Sequence, residues 1–257
     1  MHLPDPFIAS QAVRKTTILL LTSVVFFMLF AGAAHAQKRF SKTYPAGDGV
    51  RLDLLNRTGT VTVEGWNRPE INISASLEAP AALIQPQDLS GRIVVNVVKD
   101  NAGRGDVGNV NFYIRVPYYA MVDIETRIGN LKVTSIRSAL VRAHVTAEGD
   151  IELTNILSTG VSAENVTGDI FFDGEIQPGG IYRFSSMQGT INLRIPFPSS
   201  FKLVATAPST RSINLGYFSG GNMRTIGDGR RIIGQAGDGN ADIRITNQHG
   251  TIAFIRR

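Results

Sequence analysis

Residues 149–172 read GDIELTNILSTGVSAENVTGDIFF. A glycine, a short polar residue and two apolar residues separated by one position open the stretch, and the same phrase closes it. It also stands at Gly129-Asn130-Leu131-Lys132-Val133 and Gly189-Thr190-Ile191-Asn192-Leu193, so the four glycines lie 20, 19 and 21 residues apart. A fixed period of this size marks a repeat architecture in which each unit covers the exposed core of its neighbour. Further copies occur at Gly59-Thr60-Val61-Thr62-Val63 and Gly250-Thr251-Ile252-Ala253-Phe254.

Each part of the phrase has a physical reading. Glycine supplies a bend with φ > 0 that other residues adopt only with strain. The Asp, Asn or Thr after it can bond to neighbouring backbone groups. Ile151 and Leu153, one position apart, then point to the same side of a strand. Upstream of each glycine runs a second strand-like segment: Met121–Ile128, Leu140–Ala147, Val161–Val166 and Ile181–Met187. Alternation with Val, Ile and Thr is also present at Val50–Leu54, Ile71–Ala75, Ile93–Val97 and Val110–Val116, whereas no segment sustains the helical period. A short helix or turn is expected at Ala79–Leu89, limited by Pro86. The fold expected is all-β: a parallel β-solenoid, β-helix-like, with repeats of about 20 residues. Residues 37–120 form a β-strand region capping one end, residues 121–257 hold the repeats, and the last strands finish the other end. An antiparallel sandwich or meander is the competing arrangement, but its hairpin loops have no reason to keep one length.

Residues 1–36 read as an export signal. Arg14 and Lys15 provide the positive flank, Thr16–Phe30 the apolar stretch, and Ala34-His35-Ala36 the small-x-small pattern, with cleavage near Ala36-Gln37. An uncleaved N-terminal anchor is the alternative, although the stretch falls short of the roughly 20 residues a span needs. The chain contains no cysteine, which excludes disulfides, thiolate metal sites and a lipoprotein thiol. Residues 37–257 carry 24 basic and 20 acidic side chains, a net charge of +4, interspersed without blocks. No clustered basic motif points to nucleic acid. Such a balance serves solubility, with a mild preference for anionic envelope polymers.

With the export signal in front, Gly129–Val133, Val141–Val145, Gly149–Leu153, Val161–Thr167 and Gly168–Phe172 together resemble the bacterial putative adhesin family, domain of unknown function 4097. Arg51–Asn56 through Gly65 looks like that family's opening strand pair, and the resemblance covers most of residues 47–257. It implies an exported β-solenoid linked to the cell envelope or its stress responses, and it brings no catalytic residues. The Pro/Gly segment after Pro196 departs from the pattern.

The search for chemistry finds little. Asp150 and Asp169 occupy matching corners and would stack about 4.8 Å apart, close enough for paired-carboxylate chemistry on a glycan. Asn130 and Thr190 at the equivalent positions favour turn formation instead. His144 and His249 lack metal-ligand spacing, and no Gly-x-Ser-x-Gly elbow occurs. Asp238-x-Asn240-x-Asp242 has the alternate oxygens of a calcium loop but neither its glycine nor its closing glutamate, His249 standing in the glutamate's place. Arg104-Gly105-Asp106 matches an integrin-binding tripeptide within a glycine-rich loop, a short motif that also arises by chance. Trp66 and the pair Tyr118-Tyr119 are the aromatic candidates, the latter expected at the joint between the two halves. Lys132, Glu152 and Arg194 are expected to form one exposed ladder.

These readings lead to an exported, non-enzymatic solenoid acting as an adhesin-like binding or scaffold module at the bacterial envelope, periplasmic or extracellular. No catalytic, cofactor-binding or metal residues are assigned and no cofactor is expected. The partner expected is an envelope polymer or a membrane or envelope protein, not nucleic acid. The alternatives are a carbohydrate-active enzyme on a β-helix scaffold and a sensor or regulatory partner of an envelope-stress system.

Overall fold

The computed structural model describes residues 38–220 and 222–256. The export segment and its cleavage point lie outside the described residues. In chain order the first strands are β1 (Lys38–Pro45), β2 (Arg51–Thr58), β3 (Val61–Trp66), β4 (Glu70–Leu77), β5 (Gln87–Asp88), β6 (Arg92–Asn96) and β7 (Val110–Pro117). A single helical turn, α1 (Val97–Asp100), lies between β6 and β7. The middle of the chain holds β8 (Met121–Ile128), β9 (Leu131–Thr134), β10 (Leu140–Glu148), β11 (Ile151–Ile156), β12 (Gly160–Thr167), β13 (Ile170–Gly174), β14 (Ile181–Gln188) and β15 (Thr190–Arg194). Then come β16 (Phe201–Thr206), β17 (Ile213–Asn214), β18 (Arg224–Ile226), β19 (Arg231–Ala236), β20 (Asp242–Asn247) and β21 (Thr251–Ile255).

Each copy of the phrase joins a strand of one sheet to a strand of the other. The coils are β2–β3, β8–β9, β10–β11, β12–β13, β14–β15 and β20–β21. Their second strands lie side by side in a sheet ordered β1-β4-β7-β3-β9-β11-β13-β15-β21-β17, and their first strands in one ordered β18-β19-β16-β20-β14-β12-β10-β8-β2-β6-β5. Pairing between coils is parallel and in register: Leu131, Ile151, Ile170, Ile191 and Ile252 are successive partners, as are Val133, Leu153, Phe172, Leu193 and Phe254. All ten are buried. The facing sheet contributes Val122, Val141, Val161, Tyr182 and Ile243 in one inner row. The expected β-solenoid and its continuous inner seam are what the chain forms.

Both ends are excursions from this stack. The early copy of the phrase builds a coil of its own, β2–β3, whose strands pair with β8 and β9. Residues 67–120 then leave it: β6 pairs parallel to β2, β7 parallel to β3 and β4 antiparallel to β7, and β1, from before the first coil, closes that sheet antiparallel to β4. At the other end the expectation about the last strands is corrected. Strands β20 and β21 do not finish the stack but slot between β14–β15 and the irregular segment, which runs out through β16 and β17. They fit there because they carry a regular copy of the phrase, so the Pro/Gly-interrupted stretch is left to close the end. Of the short helix or turn expected over 79–89, no helix forms: the segment bends at 79–80 and runs irregularly into β5. A helical turn forms at 97–100, where the Asn96 side chain accepts the N–H of Lys99 at 2.8 Å. The outermost strands β5, β17 and β18 are two or three residues long, and β1 carries Lys38, Arg39 and Lys42. Short or charged edges resist further strand addition.

Candidate functional site

The corner column is the site the sequence points to first. Gly59, Gly129, Gly149, Gly168 and Gly189 have φ of +111°, +124°, +151°, +130° and +134°. A Cβ on Gly149 would stand 2.2 Å from the Gly129 carbonyl oxygen; on Gly168, 2.3 Å from that of Gly149; on Gly189, 2.0 Å from that of Gly168. Glycine is therefore required twice over, by backbone conformation and by the next rung's carbonyl. The following residue links rungs through its side chain. Asn130 Oδ1 accepts the N–H of Asp150 at 2.9 Å, Asp150 Oδ1 that of Asp169 at 2.8 Å, and Asp169 Oδ1 that of Thr190 at 2.7 Å. Asp150 and Asp169 do stack, and each spends an oxygen on the main chain of its neighbour.

A third inner row, unnoticed in the sequence, supports this corner. Asn56, Thr126, Val145, Asn165, Ser186 and Asn247 are successive partners, and the polar members are buried. Asn165 Nδ2 donates to the Gly149 carbonyl at 3.2 Å and Asn247 Nδ2 to that of Gly189 at 2.8 Å. The available signal was an Asn, Thr or Ser three residues before the corner glycine. In β10 a register shift after Val145 displaces it, and a valine fills the row.

On the outer face of the first sheet, Lys132 and Glu152 are register partners joined at 2.9 Å. Arg194 belongs to the next row, where it meets Asp173 at 2.6 Å and lies over the Phe171 ring at 5.2 Å. The expected three-member ladder is thus two separate pairs, because Arg194 stands two positions further from its corner glycine than Lys132 and Glu152 do from theirs. Tyr113 donates its hydroxyl to Glu64, which raises the tyrosine pKa. Trp66 is held between Arg68 and Arg115, 5.0 and 4.5 Å from its ring, and its Nε1 donates to the Glu70 carbonyl.

The C-terminal excursion builds a feature the sequence reading missed. Phe197, just past β15, is 70% exposed, and Tyr217 is 53% exposed. Their rings meet edge to face at 5.9 Å, and Arg256 sits 5.8 Å from the Tyr217 ring. They form a wall shared by two clefts. One, of about 410 Å³, is lined by Ile195, Phe197, Tyr217 and Arg256; the other, of about 430 Å³, adds Phe218, Asn222 and Gln235. The wall is fixed from below, since Phe218 packs on Phe201 and Phe254 at 5.0 and 5.6 Å. Exposed rings over a rigid base, with amides at the rim, suit recognition of a partly apolar ligand.

The remaining motifs fall apart spatially. Arg104 of Arg104-Gly105-Asp106 is turned back, donating to Asn101 Oδ1 at 3.1 Å and the Ala81 carbonyl at 3.2 Å, while Arg57 holds the carbonyls of Arg104 and Gly105. Asp238 and Asn240 lie in the turn before β20, where Gly237 and Gly239 have positive φ and Asn240 N donates to Ser200 Oγ. No three His, Asp or Glu side chains gather as a metal site among the described residues. His144 faces Glu125 at 3.5 Å and His249 meets the Met187 carbonyl. Tyr118 and Tyr119 pack edge to face between β7 and β8, with Tyr118 N bonded to the Trp66 carbonyl at the end of the β3–β7 pairing.

The profile of the Toastrack DUF4097 family matches residues 54–254, from within the first coil to the end of the last. The chain belongs to that family. No curated protein matches it. A putative cell adhesion protein from Clostridium sporogenes is similar in structure, with 13% identity, a TM-score of 0.49 and coverage of 85% of this chain and 99% of that one. A putative adhesin from Bacteroides fragilis has 12% identity, a TM-score of 0.31 and coverage of 86% and 99%. One from Parabacteroides distasonis has 8% identity, a TM-score of 0.24 and coverage of 86% and 98%.

Proposed function

We propose that this Toastrack domain is an exported, non-enzymatic, adhesin-like binding and scaffold module of the bacterial envelope. The single observation that carries the reading is the Phe197–Tyr217 wall, two exposed rings on a rigid base flanked by two clefts. Rigid presentation of exposed aromatic groups limits the entropy lost on binding, as a recognition surface requires. The export signal read at residues 1–36 supports the compartment. The glycan-cleaving alternative would draw on Asp150 and Asp169, and both carboxylates are occupied in holding the next corner's N–H. The partner is an envelope polymer or envelope protein that offers an apolar surface to the wall.

The test is capture from envelope extract by purified exported protein and by Phe197→Ala and Tyr217→Ala, with circular dichroism to verify folding. Both variants should lose the captured species. Undiminished capture by both would remove the cleft from recognition. Glycan depolymerisation abolished by Asp150→Asn would overturn the non-enzymatic reading.

A further inference from the structure

The outer face of the second sheet is electrically divided. Register aligns Asp53, Asp123, Arg142, Ser162, Arg183, Arg244, Val204, Ile233 and Arg224 in one row across nine strands. In its first half the charges are matched: Asp53 pairs with Arg51 and Arg92, and Asp123 with Arg51 at 2.7 Å and Arg142 at 3.0 Å. In the second half Arg183 and Arg244 are direct partners on adjacent parallel strands, both exposed and neither in an ion pair among the described residues. Like charges placed opposite each other destabilise a sheet. The rows on either side add Lys202, whose register partner is Asp242, and Arg231, both exposed and without an ion pair among the described residues, and Arg224 ends the central row. Against these five cations the half-face carries only Glu164 and Asp242. Between them stand Ile181, Val204 and Ile226, 45%, 37% and 42% exposed.

We propose that this half-sheet docks on an anionic phospholipid surface. Five cations and three exposed aliphatic side chains are spread over three adjacent rows, so the array is two-dimensional and matches a plane. A linear polyanion would be tracked by cations in single file, and a glycan by aromatic rings, which this half-face lacks. Headgroup phosphates would relieve the opposition of Arg183 and Arg244, while the three aliphatic side chains enter the interfacial layer. The proposal rests on the envelope reading above but is tested without any envelope component.

The experiment is co-sedimentation of the exported protein, its N-terminus fixed by mass spectrometry, with vesicles of equal parts phosphatidylglycerol and phosphatidylcholine or of phosphatidylcholine alone. Binding should require phosphatidylglycerol and fall steeply with added salt. Arg183→Gln with Arg244→Gln should weaken it at least tenfold, since each surface cation contributes about fivefold. Removing the same charge from the opposite sheet, by Lys132→Gln with Arg194→Gln, should change it less than twofold. Arg183→Gln alone should leave thermal stability equal or higher, which separates lost binding from misfolding. Equal binding to both vesicles, equal weakening by the two double variants, or tighter binding to polygalacturonate than to vesicles would overturn the proposal. Loss of envelope capture by Phe197→Ala with vesicle binding intact would show the two readings to be independent.

Discussion

Replacing Gly168 with alanine tests the physical basis of the repeat. The new Cβ would stand 2.3 Å from the Gly149 carbonyl oxygen and 2.9 Å from Asp150 Oδ1, at a φ of +130°. Ordinary contact begins near 3.4 Å, so the corner must retreat by about 1 Å, a fifth of the roughly 4.8 Å rung spacing. Such a shift would stretch the Gly149 N–Thr167 O bond, now 2.9 Å, and the Asp169 N–Asp150 Oδ1 bond, now 2.8 Å, past any useful length. Each costs about 0.5–1.5 kcal/mol, and the backbone strain adds about 1–3 kcal/mol. The sum centres near 4 kcal/mol, which for a chain of this size lowers Tm by about 10 °C. Gly105→Ala is the control, because its Cβ meets nothing within 4 Å and its φ lies outside the left-handed range. It should shift Tm by no more than about 2 °C. Thermal unfolding followed by circular dichroism reads both. If Gly168→Ala melts within 2 °C of the parent protein, close approach is not why the glycines recur.

Two further outcomes follow from the same geometry. Asp150→Asn keeps the oxygen that accepts the Asp169 N–H and should be within about 0.5 kcal/mol of the parent in urea unfolding, whereas Asp150→Ala should lose about 1 kcal/mol; equal losses would mean that charge, not acceptance, matters. Tyr182 is buried, with its hydroxyl donated to the Ser158 carbonyl at 2.9 Å and accepting the Gln177 N–H at 2.7 Å. Burial raises its pKa, the Gln177 bond opposing only in part, so the folded chain holds this proton more tightly than the unfolded chain. The stability it contributes is complete below pH 10 and is lost as pH rises through the folded pKa. Unfolding free energy should therefore fall more steeply between pH 9 and 11.5 in the parent than in Tyr182→Phe, and parallel curves would refute the assignment.

The central coils were legible because their requirements are local and repeated. A corner that needs φ > 0, an acceptor for the next N–H and two inward apolar groups writes all three into five consecutive residues. The strand limits Met121–Ile128 emerge as read from alternation alone. The excursions were not legible, because nothing local tells β6 to lie against β2, or β16 to pair with β20 after an intervening segment of sequence. Their partners are set by which row of the stack is still open. The aromatic wall was hidden for the same reason: Phe197 and Tyr217 stand 20 residues apart in an irregular stretch and meet only because β16 and β17 return to the two sheets. Arg183 and Arg244 are likewise 61 residues apart in sequence and neighbours in the sheet.

That division of labour leaves the outer faces of the stack and its ends free for the proposed binding. Every corner in the stack is occupied by rung-to-rung bonding, and the inner rows are occupied by packing, so neither can vary without a loss of about a kilocalorie or more per site. The outer rows and the two excursions carry no such obligation. In this chain the outer face of the second sheet and the C-terminal excursion converge on β19: Gln235 lines the larger aromatic cleft and is the register partner of Lys202, while Arg231 belongs to the basic half-face. A plane pressed against the basic half-face would border the cleft, whose ligand would then be met at a fixed height above that plane. Linked sites reward each other, since the first contact converts the second into an intramolecular event with a high effective concentration. Vesicle-bound protein should therefore retain a cleft ligand more strongly when that ligand is itself anchored to the same surface, and equal retention of a free ligand would argue that the two sites act alone.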